Sequence, residues 1–330
     1  MTDASVTGLA DGRFVMTFTD TTVAEEGRIA WAAERLGMQQ PPLSQQIKAL
    51  ERELDVQLFH RKARGVELTE AGRAFLDNAR TILAQLDHTC ETTRRTARGE
   101  QGRICVGITS SGPFHPFLPR VIRAFREAYP LVSLTLVEFT SNELIERLRN
   151  EQIDAAFVRT LFVDPQGLVI EPLTDELLVV ALPAGHVLAQ SDGSGDVAIS
   201  IKALAGETFI IQGSQLRLGL YASTIAACHA AGFTPRIGPE ASNHASTLNL
   251  VGVGLGVSIV PASLQRMHID GVTYRRLKGP NQPTLPLALA SRRGDPSAVV
   301  RHFLKLVRQA AKDFPFDDSE RDIHRARKRK

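Results

Sequence analysis

A chain of 330 residues exceeds what one hydrophobic core usually serves, so two or three folding units are expected. Its 43% apolar and 23% charged residues fit an ordinary soluble globular chain, and no run approaches the roughly 18 consecutive apolar residues of a membrane span. A net charge of +3 is too small to prove a nucleic-acid partner, and Cys90, Cys105 and Cys228 lie too far apart for a disulfide framework or a zinc site.

The opening MTDASVTGLADGRF has no basic stretch followed by an apolar core, so a secretory signal is not expected and the reading is cytoplasmic. In a reducing compartment the cysteines read as buried or idle thiols; a redox pair of Cys105 and Cys228 has no positive support. The first dozen residues are small and polar and are expected to be disordered. The basic tail RDIHRARKRK reads as a solvated end, with non-specific phosphate contact as the weaker reading.

From Arg28 the spacing of Ile29, Ala32, Ala33 and Leu36 predicts a short helix, which Gly37 ends. A second helix opens at Pro41-Pro42, where missing amide hydrogens cost nothing, and carries Leu43, Ile47, Leu50 and Leu54 on one face. Two short helices around a glycine turn make a helix-turn-helix candidate. Val56–Phe59 and Val66–Leu68 flank the basic turn RKARG, with Arg61, Lys62 and Arg64, and read as a hairpin wing. Thr69 suits the N-cap of the next helix, expected from about Arg73 to Arg98. Phe75, Ala79, Ile82 and Leu86 alternate by four and three along it, the seam of a helix that pairs with a second copy; an ordinary amphipathic helix packed on its own chain is the rival reading. Gly99 to Gly102 reads as a hinge.

Beyond Arg103 the texture alternates between strands and helices. RICVGI, LVSLTLVEF and IDAAFV read as strands, with FLPRVIRAFREAY and NELIERLRN as the helices among them. ELLVVALP, ETFIIQ, GVSIVP and LPLALAS are later strands, with helices near Leu216–Ala231, His244–Val253 and Ala298–Ala311. This alternation predicts α/β architecture, a parallel, doubly wound sheet in two lobes, with LPLALAS returning to the first lobe.

AAERLGMQQPPLSQQIKALERELDVQLFHRKARGVELTEAG resembles, almost position for position, the DNA-binding region of LysR-type transcriptional regulators. PRVIRAFREAYP, RNEQIDAAFVR, LPAGHVLA and VGVGLGVSIVPAS are similar to segments of the family's effector region, so the resemblance spans Val23 to roughly Ala311. FVR and VSIVPASLQ resemble the branch that answers to muconates, benzoates and chlorinated relatives. The resemblance implies a winged helix-turn-helix followed by two lobes like those of periplasmic binding proteins. It divides the chain into residues 13–70 for DNA, 71–102 for pairing and hinge, 103–315 for the effector and 316–330 as tail. Within the effector region one lobe is 103–174 plus 281–315 and the other is 175–280. The family also implies a dimer through the Phe75–Leu86 helix, assembled into a tetramer. One departure stands out: RFVMTFTDTT places Thr19 and Asp20 where relatives carry aromatic residues, which leaves the packing of the first helix open.

An α-helix fits the major groove, and its first turns reach base edges. Gln40, Pro41, Ser44, Gln45 and Lys48 lie there, away from the apolar stripe; Gln45 suits bidentate contact with adenine, and Arg64 suits a phosphate or a narrow minor groove. Between the lobes, the family places Thr109 and Ser110 on the pocket floor. Thr140–Glu143 reads as a capping box that leaves Ser141 near free amides, while Arg159 can pair with a carboxylate. Gln212 and Asn243 stand at later helix starts. The expected partners are promoter DNA, an aromatic or dicarboxylic acid, a second copy of the chain and, as a further candidate, RNA polymerase. No cofactor or metal is expected. There is no Walker A sequence, HExxH or nucleophile elbow, and GVGLG precedes its strand rather than following it, so an enzyme is not expected. A solute-binding protein without DNA reading is the alternative, but the helix-turn-helix has no place in it.

Overall fold

The computed structural model describes residues 21–63, 65–159, 167–190, 198–212, 219–279 and 282–314. The expectations for Arg64, for the opening segment up to residue 20 and for the tail from residue 315 lie outside them. The chain divides into two compact units, Met1–Arg94 and Arg95–Lys330.

The first unit carries helix α1 (residues 21–26), α2 (Ile29–Arg35) and α3 (Gln40–Leu54), then strands β1 (Phe59–Lys62) and β2 (Gly65–Leu68). Val23, Ala32, Leu43, Ile47, Leu50 and Leu58 form its core. Helix α3 has proline in its first turn and ends at Asp55, in a left-handed conformation with φ of 53°. The strands pair antiparallel from Phe59 opposite Leu68 to Lys62 opposite Gly65, giving the expected wing.

Three contacts lock the wing. Glu51 of α3 accepts through Oε1 from the amides of Leu58 (2.8 Å) and Phe59 (3.2 Å). Val66 donates its amide to the carbonyl of Gly27 at 2.9 Å, an approach so close that a Cβ on Gly65 would stand 2.4 Å from that oxygen. Thr69 Oγ1 accepts from Gly72 N at 2.8 Å and donates to Gln57 O at 2.7 Å. Because Thr69 caps the chain here, α4 (Glu70–Arg98) starts three residues before the expected Arg73. On this helix Ala79 is buried, while Ile82 stays 49% exposed.

The second unit contains an eight-stranded mixed sheet in the order β4-β3-β5-β12-β6-β11-β7, with β10 also paired to β6. These strands are β3 (Gln101–Ile108), β4 (Leu131–Glu138), β5 (Ala155–Val158), β6 (Leu168–Pro183), β7 (Ile199–Ser200), β10 (Ser258–Pro261), β11 (Val272–Lys278) and β12 (Thr284–Arg292). Strands β8 (Thr208–Gln212) and β9 (Arg236–Ala241) form a separate parallel pair. Helices α5 (Phe117–Ala128), α6 (Ser141–Arg149), α7 (Leu220–Ala230), α8 (His244–Gly252) and α9 (Ala298–Asp313) pack on these strands. Covered faces explain why all four residues of β5 are buried.

The α/β architecture holds, with one difference from a wholly parallel sheet. Strands β10, β11 and β12 run antiparallel to β6, and β12 is antiparallel to β5 as well. Strand β12, the LPLALAS segment, lies between β5 and β6 in this sheet. Strand β6 begins at Leu168, eight residues before the expected Glu176, and a register shift near Pro172 lets it continue past a residue that cannot donate. Gly99 ends α4, and Gly102, expected in a hinge, lies inside β3. Four apolar clusters fill this unit, around Phe117, Phe125 and Phe303, around Leu144 and Leu148, around Phe209 and Cys228, and around Ile210 and Leu248. Cys105 and Cys228 sit against different clusters as free thiols, and burial raises both pKa values, that of Cys228 to about 11. Protonated thiols of this kind are poor redox partners.

Candidate functional site

The reader surface of the first unit is α3. Leu43, Ile47 and Leu50 turn inward, while Gln40, Pro41, Gln45 and Lys48 are exposed and Ser44 is half-buried. Among the described residues, the side chains of Gln40, Gln45 and Lys48 hold no partner within the protein, so their donors and acceptors are free for a ligand. Lys62 of the wing pairs loosely with Glu67 at 3.3 Å, both well exposed, while Arg61 is exposed beside it. At the start of α2 the half-exposed Trp31 lies under the Arg28 guanidinium, 4.2 Å from its ring centre.

The second unit gathers a buried polar cluster at the strand ends. Thr109, following β3, is 7% exposed, and its Oγ1 has no hydrogen-bond partner among the described residues. Ser110 beside it is half-buried. Arg159, following β5, is pinned by its backbone, whose amide donates to Ser141 Oγ at 3.0 Å. Its guanidinium Nη1 stands 2.7 Å from Glu176 Oε2 of β6, an ion pair almost sealed from water. The pair is close but off hydrogen-bond alignment: Nε, Nη1 and Nη2 of Arg159 and Oε2 of Glu176 all lack an aligned partner among the described residues. Glu176 Oε1, by contrast, accepts from Ser263 N at 2.7 Å. Burial pushes the Glu176 carboxyl up, but Arg159, His115 and the Ser263 bond outweigh it and hold the group below the usual carboxylate range.

Two imidazoles complete the cluster. His115 accepts through Nδ1 from Phe117 N at 3.2 Å, which assigns its proton to Nε2 when neutral. Burial lowers its pKa to about 4; Glu176 opposes this, and Arg159 and Arg266 add to it. His244, first residue of α8, has a buried Nδ1 without a partner and is likewise lowered to about 4 by burial and by Arg159, against Glu176. His244, Gln212, Thr224, Thr247 and Ser258 line a small cavity of about 10 Å³, room for roughly one water.

A buried guanidinium with unaligned donors, coupled electrostatically to an imidazole with a free nitrogen, has hydrogen-bonding capacity to spare for a polar ligand. The structure joins Ser141 to Arg159 and places Thr109 just past the end of β3, the strand that pairs with β5. Thr140 and Glu143 form the expected capping box, and the Ser141 oxygen accepts the Arg159 amide. Asn243 is exposed, and its Oδ1 caps α8 by accepting from Ser246 N at 2.8 Å. His115, Glu176, His244 and Ser263 were missed from sequence. The available signal was an ionisable residue bordered by apolar ones, as in PFHPF and at the head of ELLVVALP.

A winged helix-turn-helix reader combined with an α/β unit that holds a buried polar cluster defines a ligand-responsive DNA-binding regulator. Residues 21–73 match the bacterial regulatory helix-turn-helix protein of the lysR family, and residues 97–312 match the LysR substrate binding domain. The chain is 36% identical over 284 residues to the HTH-type transcriptional regulator AlsR of Bacillus subtilis (strain 168), covering 86% of this chain and 91% of that one. It is 35% identical over 290 residues to the regulator CatR of Pseudomonas putida, covering 88% and 96%. Full-length CbnR, solved in complex with its target DNA, superposes with a TM-score of 0.77 at 30% identity, over 90% of this chain and 99% of that chain. The effector binding domain of BenM, solved with its effector benzoate, gives 0.57 at 27% identity, over 66% and 97%. The chain belongs to the LysR family: it is a DNA-binding transcriptional regulator with an effector-binding domain, not an enzyme. Among the described residues no helix is long and apolar enough to cross a membrane.

Proposed function

We propose that this regulator reads promoter DNA with Gln40, Pro41, Ser44, Gln45, Lys48 and Arg64, and senses a small carboxylate in the cleft of its effector unit. The observation that carries the effector class is the buried Arg159 guanidinium, whose three nitrogens lack aligned acceptors. Ser110, Ser141 and Gln212 add polar contacts, and Asn243 orders the helix that presents His244. CbnR bound to target DNA and BenM bound to benzoate support both halves of this reading. The division of labour is residues 13–70 for DNA, 71–102 for pairing, 103–174 with 281–315 as one effector lobe, and 175–280 as the other. Ile82, left half-exposed on α4, supports pairing with a second copy, and the groove between α5 and β4, lined by Leu118, Ile122 and Leu136, supports assembly of dimers into tetramers. The protein works in the cytoplasm, where RNA polymerase is a further partner.

A thermal-shift screen of aromatic acids, dicarboxylates and uncharged or cationic analogues tests the effector class. A carboxylate present at 100 times its dissociation constant should add about 2.7 kcal/mol of apparent stability. Stabilisation by neutral or cationic compounds, with none by any carboxylate, overturns it.

A further inference from the structure

We propose that the cleft takes up its carboxylate together with one proton, the ligand capturing Arg159 from Glu176 while the proton settles among His115, His244 and Glu176. This rests on the cleft being the effector site, and it follows from counting charges there. As it stands, the cluster is balanced: one guanidinium, one carboxylate and two neutral imidazoles, all in residues at most 7% exposed. The charged groups facing His115 are Glu176 from β6, Arg159 from the end of β5 and Arg266 from the turn after β10. Those facing His244 are Arg159 and Glu176. Arg266 is exposed and solvated, so it does not neutralise the interior.

The geometry allows the exchange. Glu176 is anchored by Oε1 on Ser263 N, while Oε2 meets Arg159 off alignment, so the guanidinium can turn to a new acceptor without unseating Glu176. A ligand carboxylate arriving alone then leaves two anions on one cation in a site closed to water. Nearby like charges in a desolvated site favour protonation. Two proton acceptors stand ready, the free Nδ1 of His244 and Glu176 Oε2, while Nδ1 of His115 becomes a third only by giving up its bond from Phe117 N. The proton comes from solvent, no covalent bond changes, and the site returns to neutrality.

Titration calorimetry of the full chain tests this with acetate, propionate, benzoate and salicylate between pH 6 and 8, where these acids stay ionised. For whichever binds, affinity should rise as pH falls, by up to about tenfold per unit. The measured heat should change with the ionisation heat of the buffer, as uptake of one proton requires. Glu176→Gln removes the competing anion, so it should bind the same acid with little pH dependence and no proton uptake. His115→Gln/His244→Gln should lower the number of protons taken up, a readout that a merely structural role would not move. Binding in the wild-type protein at constant affinity, with heats independent of buffer, overturns the proton coupling and leaves the effector reading intact. Proton uptake undiminished in Glu176→Gln also overturns it. Failure of these four acids and of every dicarboxylate in the thermal-shift screen to bind overturns the carboxylate reading itself, and the coupling with it.

Discussion

Glu51 and Leu58 are joined by a 2.8 Å hydrogen bond from the Leu58 amide to the Glu51 carboxylate, which ties the reader helix to the base of the wing. The same oxygen receives the Phe59 amide, so one side chain satisfies two backbone donors that enter a buried corner. Glu51→Ala should destabilise the DNA-binding unit by about 1–3 kcal/mol, the cost of leaving buried amides unpaired. Denaturant unfolding followed through this unit measures it; a change below a few tenths of a kcal/mol would show that water replaces the carboxylate.

Gly72 has no room for a side chain, because a Cβ there would lie 2.0 Å from the Leu58 carbonyl oxygen. Both partners are backbone, so neither can swing away. Gly72→Ala should cost about 3 kcal/mol or more, at or beyond the usual range for overpacking, and should displace α4 from the wing. A thermal melt like that of the wild type would show that the helix shifts without penalty.

Gln45 and Lys48 face outward from the same helix but should fail in different ways. Gln45→Ala should weaken operator binding by about 1–3 kcal/mol while leaving random DNA nearly unaffected. Lys48→Ala should weaken both alike and lower the salt slope by about 1. Anisotropy titrations at several salt concentrations separate the two, and equal losses on operator and random DNA for Gln45→Ala would move it to the phosphate class.

Ile82 is 49% exposed on α4, a large apolar side chain facing water in the single chain. Ile82→Glu should shift the protein from dimer or tetramer toward monomer in sedimentation velocity at micromolar concentration. An unchanged sedimentation coefficient would place the pairing surface elsewhere.

Buried neutral histidines make the effector unit acid-sensitive. His115 and His244 have folded pKa values of about 4, against roughly 6.5 in an unfolded chain. As pH drops below 6.5, the unfolded state gains protons that the folded state refuses until about pH 4. Their contribution is therefore intact above pH 6.5 and lost across that window, by roughly 1–3 kcal/mol for each histidine. Urea midpoints at pH 7.5, 6 and 5 should fall accordingly, and His244→Gln should flatten part of the slope; identical slopes would exonerate His244.

What was legible in the sequence was local. Thr69 and the Thr140–Glu143 box announce their helices because a cap is made of bonds spanning two or three residues. Pro41-Pro42 marks the start of α3 for the same reason. Strand β6 was only half visible, since Pro172 breaks its pattern and the register shift that accommodates it depends on β12, more than a hundred residues later. Strands β9 (RIGPEA) and β11 (VTYRRLK) were invisible because proline, glycine and arginine tolerate a strand there only through pairing with neighbours. The Arg159–Glu176 pair was hidden by topology: β12 lies between β5 and β6, so their closeness depends on strand order rather than on spacing.

Trp31 is the only tryptophan in the chain, and it lies in the DNA-binding unit, whereas Tyr129, Tyr221 and Tyr274 all belong to the effector unit. The two halves of the molecule therefore carry different natural fluorophores. Light absorbed at the red edge of the protein band reaches only the indole, so its emission follows melting and operator contact in the first unit and is insensitive to the tyrosines in the second. The Arg28 guanidinium resting on the ring makes that emission sensitive to any phosphate that draws the arginine away.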